Sequence, residues 1–158
     1  MTEKIRFSFA DTDTAMTELV NGTDHSTLAI WAADCVEHVL PYFEVQYPHD
    51  HRPAAAIEAL REWIQTGVFH MEVIRNASLD AHAAAREVER DNAARSAARA
   101  AGHAAATAHV ATHALAAARY ALQAIYRASE PSETEAEVAR ERDWQYRHLL
   151  ELRNSRER

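Results

Sequence analysis

The segment DNAARSAARAAGHAAATAHVATHALAAARYALQAIYRA, residues 91–128, decides the fold. From Ala93 to Ala128, 18 of the 36 residues are alanine, and no Asp, Glu, Lys or Pro occurs between Asp91 and Glu130. Alanine is the strongest helix former because it has no side-chain entropy to lose, and its small size lets other helices approach closely. A continuous helix over residues 92–128 would be about 50 Å long at about 1.5 Å per residue. Tyr120, Leu122, Ile125 and Tyr126 give it a face to bury. The segment therefore predicts an all-α, single-domain bundle of five or six helices around one long Ala-rich central helix.

The flanking sequence fits that architecture. Asp91-Asn92 marks a weak break before the central helix, and an earlier helix runs from about Phe69 to Arg90, with Met71, Ile74, Leu79 and Ala83 as core contacts. Gly67 stops the helix before it, which opens at Pro53, a residue suited to the first helical turn, and buries Ile57, Leu60, Trp63 and Ile64. Upstream, Asp24 or Ser26 caps STLAIWAADCVEHVL. Leu28, Trp31, Ala32, Cys35 and Val39 share one face of that helix at 3.6 spacing. Pro41 ends or kinks it, and YFEVQY continues it. A short helix from Asp13 or Thr14 to Val20 stops at Asn21-Gly22. Ile5, Phe7 and Phe9 alternate as in an extended segment, so residues 1–25 read as a peripheral N-terminal segment. Downstream, Glu130-Pro131-Ser132 interrupts the chain. Ser132 or Thr134, the latter with capping-box spacing to Glu137, caps a last helix that buries Val138, Gln145, Leu149 and Leu152, and residues 154–158 read as a frayed tail.

Composition excludes several classes of function. With three Gly and four Pro in 158 residues, turns are few, which favours helices. The net charge of −7 is unevenly placed. Residues 1–66 carry eleven acids and four bases, and the remaining residues carry thirteen of each. An acidic surface disfavours nucleic acid and anionic membranes and favours a basic partner. Cys35 is the lone cysteine, so an intrachain disulfide and a cysteine metal knuckle are both excluded. No basic region followed by an apolar run opens the chain, so no signal peptide is expected. Three His and Arg119 within residues 100–126 argue against a membrane span there.

Two clusters could carry chemistry. His109 and His113 in HVATH are four apart, so one helix would place them on one face. With His38 from the earlier helix they could bind a divalent transition metal, supported by Asp34. This constellation is similar to the DinB-like metal-dependent bundles. HVATH has no glutamate as in HExxH, so it builds in no general base. The second cluster is Asp34, Glu37 and His38 in ADCVEH, read as a polar network between helices with Arg95 or Arg99 as partner. Cys35 lies on the apolar stripe and reads as a small hydrophobe. No cofactor motif and no catalytic triad occurs.

The strings LAIWAADCVEHVLPYFE, YPHDHRPAAAIEALREW, AARAAGHAAATAHVATHA and ERDWQYRHL occur in this order. Together, over roughly residues 28–150, they resemble the immunity-protein-five-like group of bacterial immunity proteins. The resemblance implies a small cytosolic all-α binding protein, not an enzyme, that neutralises a cognate toxin. The acidic first third would suit a basic toxin such as a nuclease, with Glu18, Glu37, Glu44 and Glu58 as contact residues. Two other readings stay open. One is the DinB-like enzyme using His38, His109 and His113. The other is a helical scaffold that self-associates through its alanine face.

Overall fold

The computed structural model describes residues 3–7 and 14–156. Among these it holds seven α-helices and no strand: α1 Thr14–Asn21, α2 His25–Gln46, α3 Arg52–Thr66, α4 Met71–Glu87, α5 Ala93–Ala106, α6 His113–Ala128 and α7 Thr134–Arg156. The all-α expectation holds. The count is seven rather than five or six because the expected central helix is two helices.

That break is the main correction. Residues 107–112 form a tight connection in which Ala108, His109, His113 and Ala114 donate their backbone N–H three residues back, instead of four. Thr107 starts it: its hydroxyl donates to the His103 carbonyl at 3.1 Å, and its own carbonyl accepts from the His25 imidazole on α2. Thr107, Val110 and Thr112 are β-branched and weak helix formers. The larger reason is burial. Ala94, Ala97, Ala98, Ala101, Ala104 and Ala105 on α5 are all fully buried, as are Ala114, Ala117, Ala121 and Ala124 on α6. A straight rod could not cover so many apolar faces. Folded back, α5 and α6 cover each other, with about 0.8 kcal/mol for each buried methyl-sized group. Tertiary packing overrides the helix propensity of the connecting residues.

α5 is therefore the interior element, contacted by α2, α3, α4 and α6. Ser96, fully buried on it, donates to Gln123 Oε1 at 2.9 Å and accepts from Arg127 at 3.1 Å, which ties α5 to α6. Asn92 caps α5 by accepting from the Arg95 N–H. α2 runs unbroken through Pro41, with Asp24 as its cap. α3 carries Pro53 in its first turn and ends at Gly67, whose φ of 69° is left-handed. Trp31 is fully buried, and its indole N–H donates to the Gln145 carbonyl at 2.9 Å. The Gln145 amide in turn donates to the Ala118 carbonyl at 3.0 Å, so one side chain joins α7 to α2 and α6.

The ends and α4 also differ from expectation. α1 buries Met16, Leu19 and Val20 in the common core, so residues 1–25 are not wholly peripheral. Residues 3–7 are irregular, with the Phe7 ring 5.4 Å from that of Tyr126. Phe9 lies outside the described residues. Residues 154–156 are helical rather than frayed, and Arg156 donates to Ser26 on α2. On α4, Met71 and Leu79 are exposed rather than core, and Ala83 is half-buried. The inner face of α4 is Ile74, Ala81, Ala84 and Ala85. Small residues take those positions because α4 lies against the alanine surface of α5. None of the described helices is long and apolar enough to cross a membrane.

Candidate functional site

The ADCVEH string lies where α2 meets α3 and α7. Asp34 accepts from Arg61 on α3 at 2.8 Å through one oxygen. Its other oxygen is 2.7 Å from His148 Nε2 on α7. Glu37 accepts from the same guanidinium at 2.7 Å. His38 Nδ1 is 2.7 Å from Glu141, also on α7. The Trp144 indole lies between the two histidines, with ring centroids 3.7 Å from His38 and 4.8 Å from His148. The expected polar network is present, but its cation is Arg61. Arg95 instead reaches Asp91 and the Val88 carbonyl, and Arg99 donates to His82 at 2.9 Å. Burial works to lower the Arg61 pKa, and its hydrogen bonds to Glu37 and Asp34 overcome that, leaving it above the ordinary value. These ion pairs are partly exposed, where such pairs contribute about 0–1 kcal/mol. Their effect is to fix how three helices meet. Cys35, beneath them, is fully buried; burial above all, then the Glu141 and Asp34 carboxylates, pushes its thiol up, which removes it as a nucleophile.

The three expected metal ligands are not brought together. His38 belongs to the seam just described. His109 sits exposed in the α5–α6 connection, its ring stacked on Phe69 at 5.8 Å. His113 opens α6, and its Nδ1 is 3.2 Å from His103 Nδ1. The break in the central helix separates the HVATH pair, since one member is no longer helical. Among the described residues no group of three His, Cys, Asp or Glu could hold a metal ion.

A different histidine group takes its place. His82 on α4, His103 on α5 and His113 on α6 follow one another in ring contact, at 4.9 and 5.5 Å, with Tyr120 stacked on His103 at 5.1 Å. Burial, then the charge of neighbouring groups, pushes His82 and His103 down to about 4. For His82 those neighbours are His103, Arg99, Arg86 and His113. His103 Nδ1 and His113 Nδ1 face each other at hydrogen-bond distance, 3.2 Å, so one ring donates to the other. Gly102 belongs here: a Cβ on it would meet the His82 ring at 2.6 Å. Sequence reasoning missed His82, which stands alone between alanines.

The third region is apolar. Six of the eight large apolar side chains exposed among the described residues are Val68, Phe69, Met71, Val73, Leu79 and Val110. They gather at the α3–α4 and α5–α6 connections and along α4. Two clefts run beside Ile74. One, of about 210 Å³, lies between α3 and α4 and is lined by Trp63, Val68 and Val73. The other, of about 380 Å³, lies between α4 and α5 and is lined by Met71, Leu79 and His109. Of the acids expected at a partner surface, Glu37 is engaged with Arg61, whereas Glu18, Glu44 and Glu58 are exposed. The signal for this region was present in the sequence as Val68-Phe69 beside Gly67 and as Met71 and Leu79, which periodicity assigned to the core.

Residues 18–152 match the family model described as "Imm-5 like putative immunity protein". The match spans α2 to α6 entirely, the second half of α1 and most of α7, and the chain belongs to that family. No curated protein and no solved structure matches the chain significantly.

Proposed function

We propose that this member of the Imm-5 like family is a non-enzymatic protein that neutralises a cognate toxin by binding it in the bacterial cytoplasm. The family match over residues 18–152 carries the reading. The geometry supports it in two ways. The most polar cluster, around Asp34, is satisfied by its own Arg61 and His148, as in a structural seam. The exposed apolar surface on α4 has the composition of a contact surface rather than a reaction site. A DinB-like reaction would need His38, His109 and His113 to converge, and they stand apart on α2, the α5–α6 connection and α6.

The test is growth rescue. The product of the neighbouring gene is induced with and without this chain, and the two proteins are then purified together. Restored growth and a stable complex are expected. Growth arrest that persists while this chain is expressed and folded would refute the proposal.

A further inference from the structure

We infer that the outer face of α4, together with the α3–α4 and α5–α6 connections, is where this chain docks its partner, and that the partner offers an apolar anchor ringed by Lys and Arg. This rests on the reading above and adds the surface and its chemistry.

The geometry starts from the helical register of α4. Glu72 and Leu79 are seven residues apart and fall on one line of the helix, and Val73 and Asp80 fall on the next. Acids and aliphatic side chains therefore interleave on the same outward face. Glu62 lines the α3–α4 cleft beside Val73. Glu62, Glu72 and Asp80 are exposed, and among the described residues none of the three enters an ion pair. Arg75, which lines the other cleft, and Arg86, one heptad beyond Leu79, are the cations of α4 among the described residues, and Glu62, Glu72 and Asp80 outnumber them. The surface is thus apolar at its centre, with Val73 and Leu79 about half exposed at 53% and 51%. It is negative between and around those side chains.

Charge decides between occupants. A second copy across a two-fold axis would bring this surface against itself. Glu62, Glu72 and Asp80 would then meet a surface of the same negative excess, and like charges brought together are costly. An anionic bilayer is disfavoured for the same reason. A basic protein surface meets unpaired carboxylates, and its apolar anchor fills the clefts beside Ile74. The acidic surplus of the chain then acts at one place rather than through its total.

The experiment uses the full chain and the neighbouring toxin, purified as an inactive variant. Val73→Asp and Leu79→Asp place a charge at exposed positions, so the fold is kept, and circular dichroism verifies this. Each is expected to weaken the complex by about 30-fold or more. The pair Glu72→Lys with Asp80→Lys is expected to slow association by about 10-fold and flatten its salt dependence. Glu151→Lys, the same change of sign at an exposed position of α7, is the control and should leave both nearly unaltered. Wild-type binding that all four α4 substitutions leave intact overturns the docking face while the immunity reading stands. An equal effect of Glu151→Lys overturns local complementarity in favour of total charge. A dimer of the chain alone that Leu79→Asp dissolves assigns the face to a second copy and also overturns the inference. If wild type forms no complex, the functional reading itself fails.

Discussion

α2 and α4 are both amphipathic helices that carry carboxylates on their outer sides, yet they leave those groups in opposite states. On α2, Asp34 and Glu37 are bonded to Arg61, and His148 and His38 join α7 to the same seam. Beneath them, Trp31, Cys35, Val36 and Val39 are fully buried. Every strong group there has an internal partner. On α4 the buried face is mostly alanine, most of the larger apolar side chains point outward, and Glu72 and Asp80 stand among them outside any ion pair among the described residues. A surface completed from within serves the fold. A surface left incomplete costs solubility, and its persistence is explained when another molecule completes it.

Substitutions should separate the two helices sharply. The largest effect is expected at the α2 seam: Trp31→Ala removes a fully buried indole together with its hydrogen bond to the Gln145 carbonyl, and should cost about 3–5 kcal/mol, read as a fall in the urea midpoint. A stability near wild type would mean that α2 and α7 do not pack as described. Next comes Gly102→Ala, whose methyl meets the His82 ring under α4. A loss of about 1–3 kcal/mol is expected, partly relieved in the double variant with His82→Ala. Absence of that relief would argue against the contact.

Acid should act on α4 before α2. His82 and His103 are pushed from 6.5 down to about 4 in the folded chain. Between those values the unfolded chain binds more protons, so stability is full above about pH 6.5 and declines as pH falls towards 4. The decline is moderated because both rings are only half-buried. Asp24 and Asp50 are held below 3.8 by hydrogen bonds to Thr27 and Arg52, so their contribution is lost only below that window. Amide exchange at pH 5 should therefore rise in α4 while α2 stays protected; parallel rises would refute this. The smallest effect is at Leu79→Ala, which should shift stability by no more than about 0.5 kcal/mol. A larger loss in thermal unfolding would show that Leu79 belongs to the core after all.

The sequence announced the helices of this bundle clearly where capping and stop signals were local: Asp24, Pro53, Gly67 and Thr134 all stand where an end was expected. It misled where two long-range demands compete. Alanine propensity favoured one rod across residues 92–128, but only the folded bundle shows that α5 is enclosed on nearly every side. The signal was an alanine surface too broad for one buried stripe, with Thr107, Val110 and Thr112 clustered at the bend. The same competition misplaced Met71 and Leu79. Periodicity favours large apolar residues for the core, but the alanine surface of α5 admits only small ones. The Asp34 network was legible as a cluster, whereas its partner was not, because Arg61 is 27 residues away and nothing local links the two.

The alanine interior of α5 and α6 has a thermodynamic consequence of its own. A core of Leu or Met loses rotamer freedom when it is ordered, but a methyl group has no rotamer to lose. Bringing these two helices together therefore costs backbone entropy and little else. The same economy removes any cushion. Where long side chains can shift to absorb an added or missing carbon, a wall of methyl groups cannot. The spacing of the two backbones, rather than any side-chain adjustment, sets the register of the hairpin.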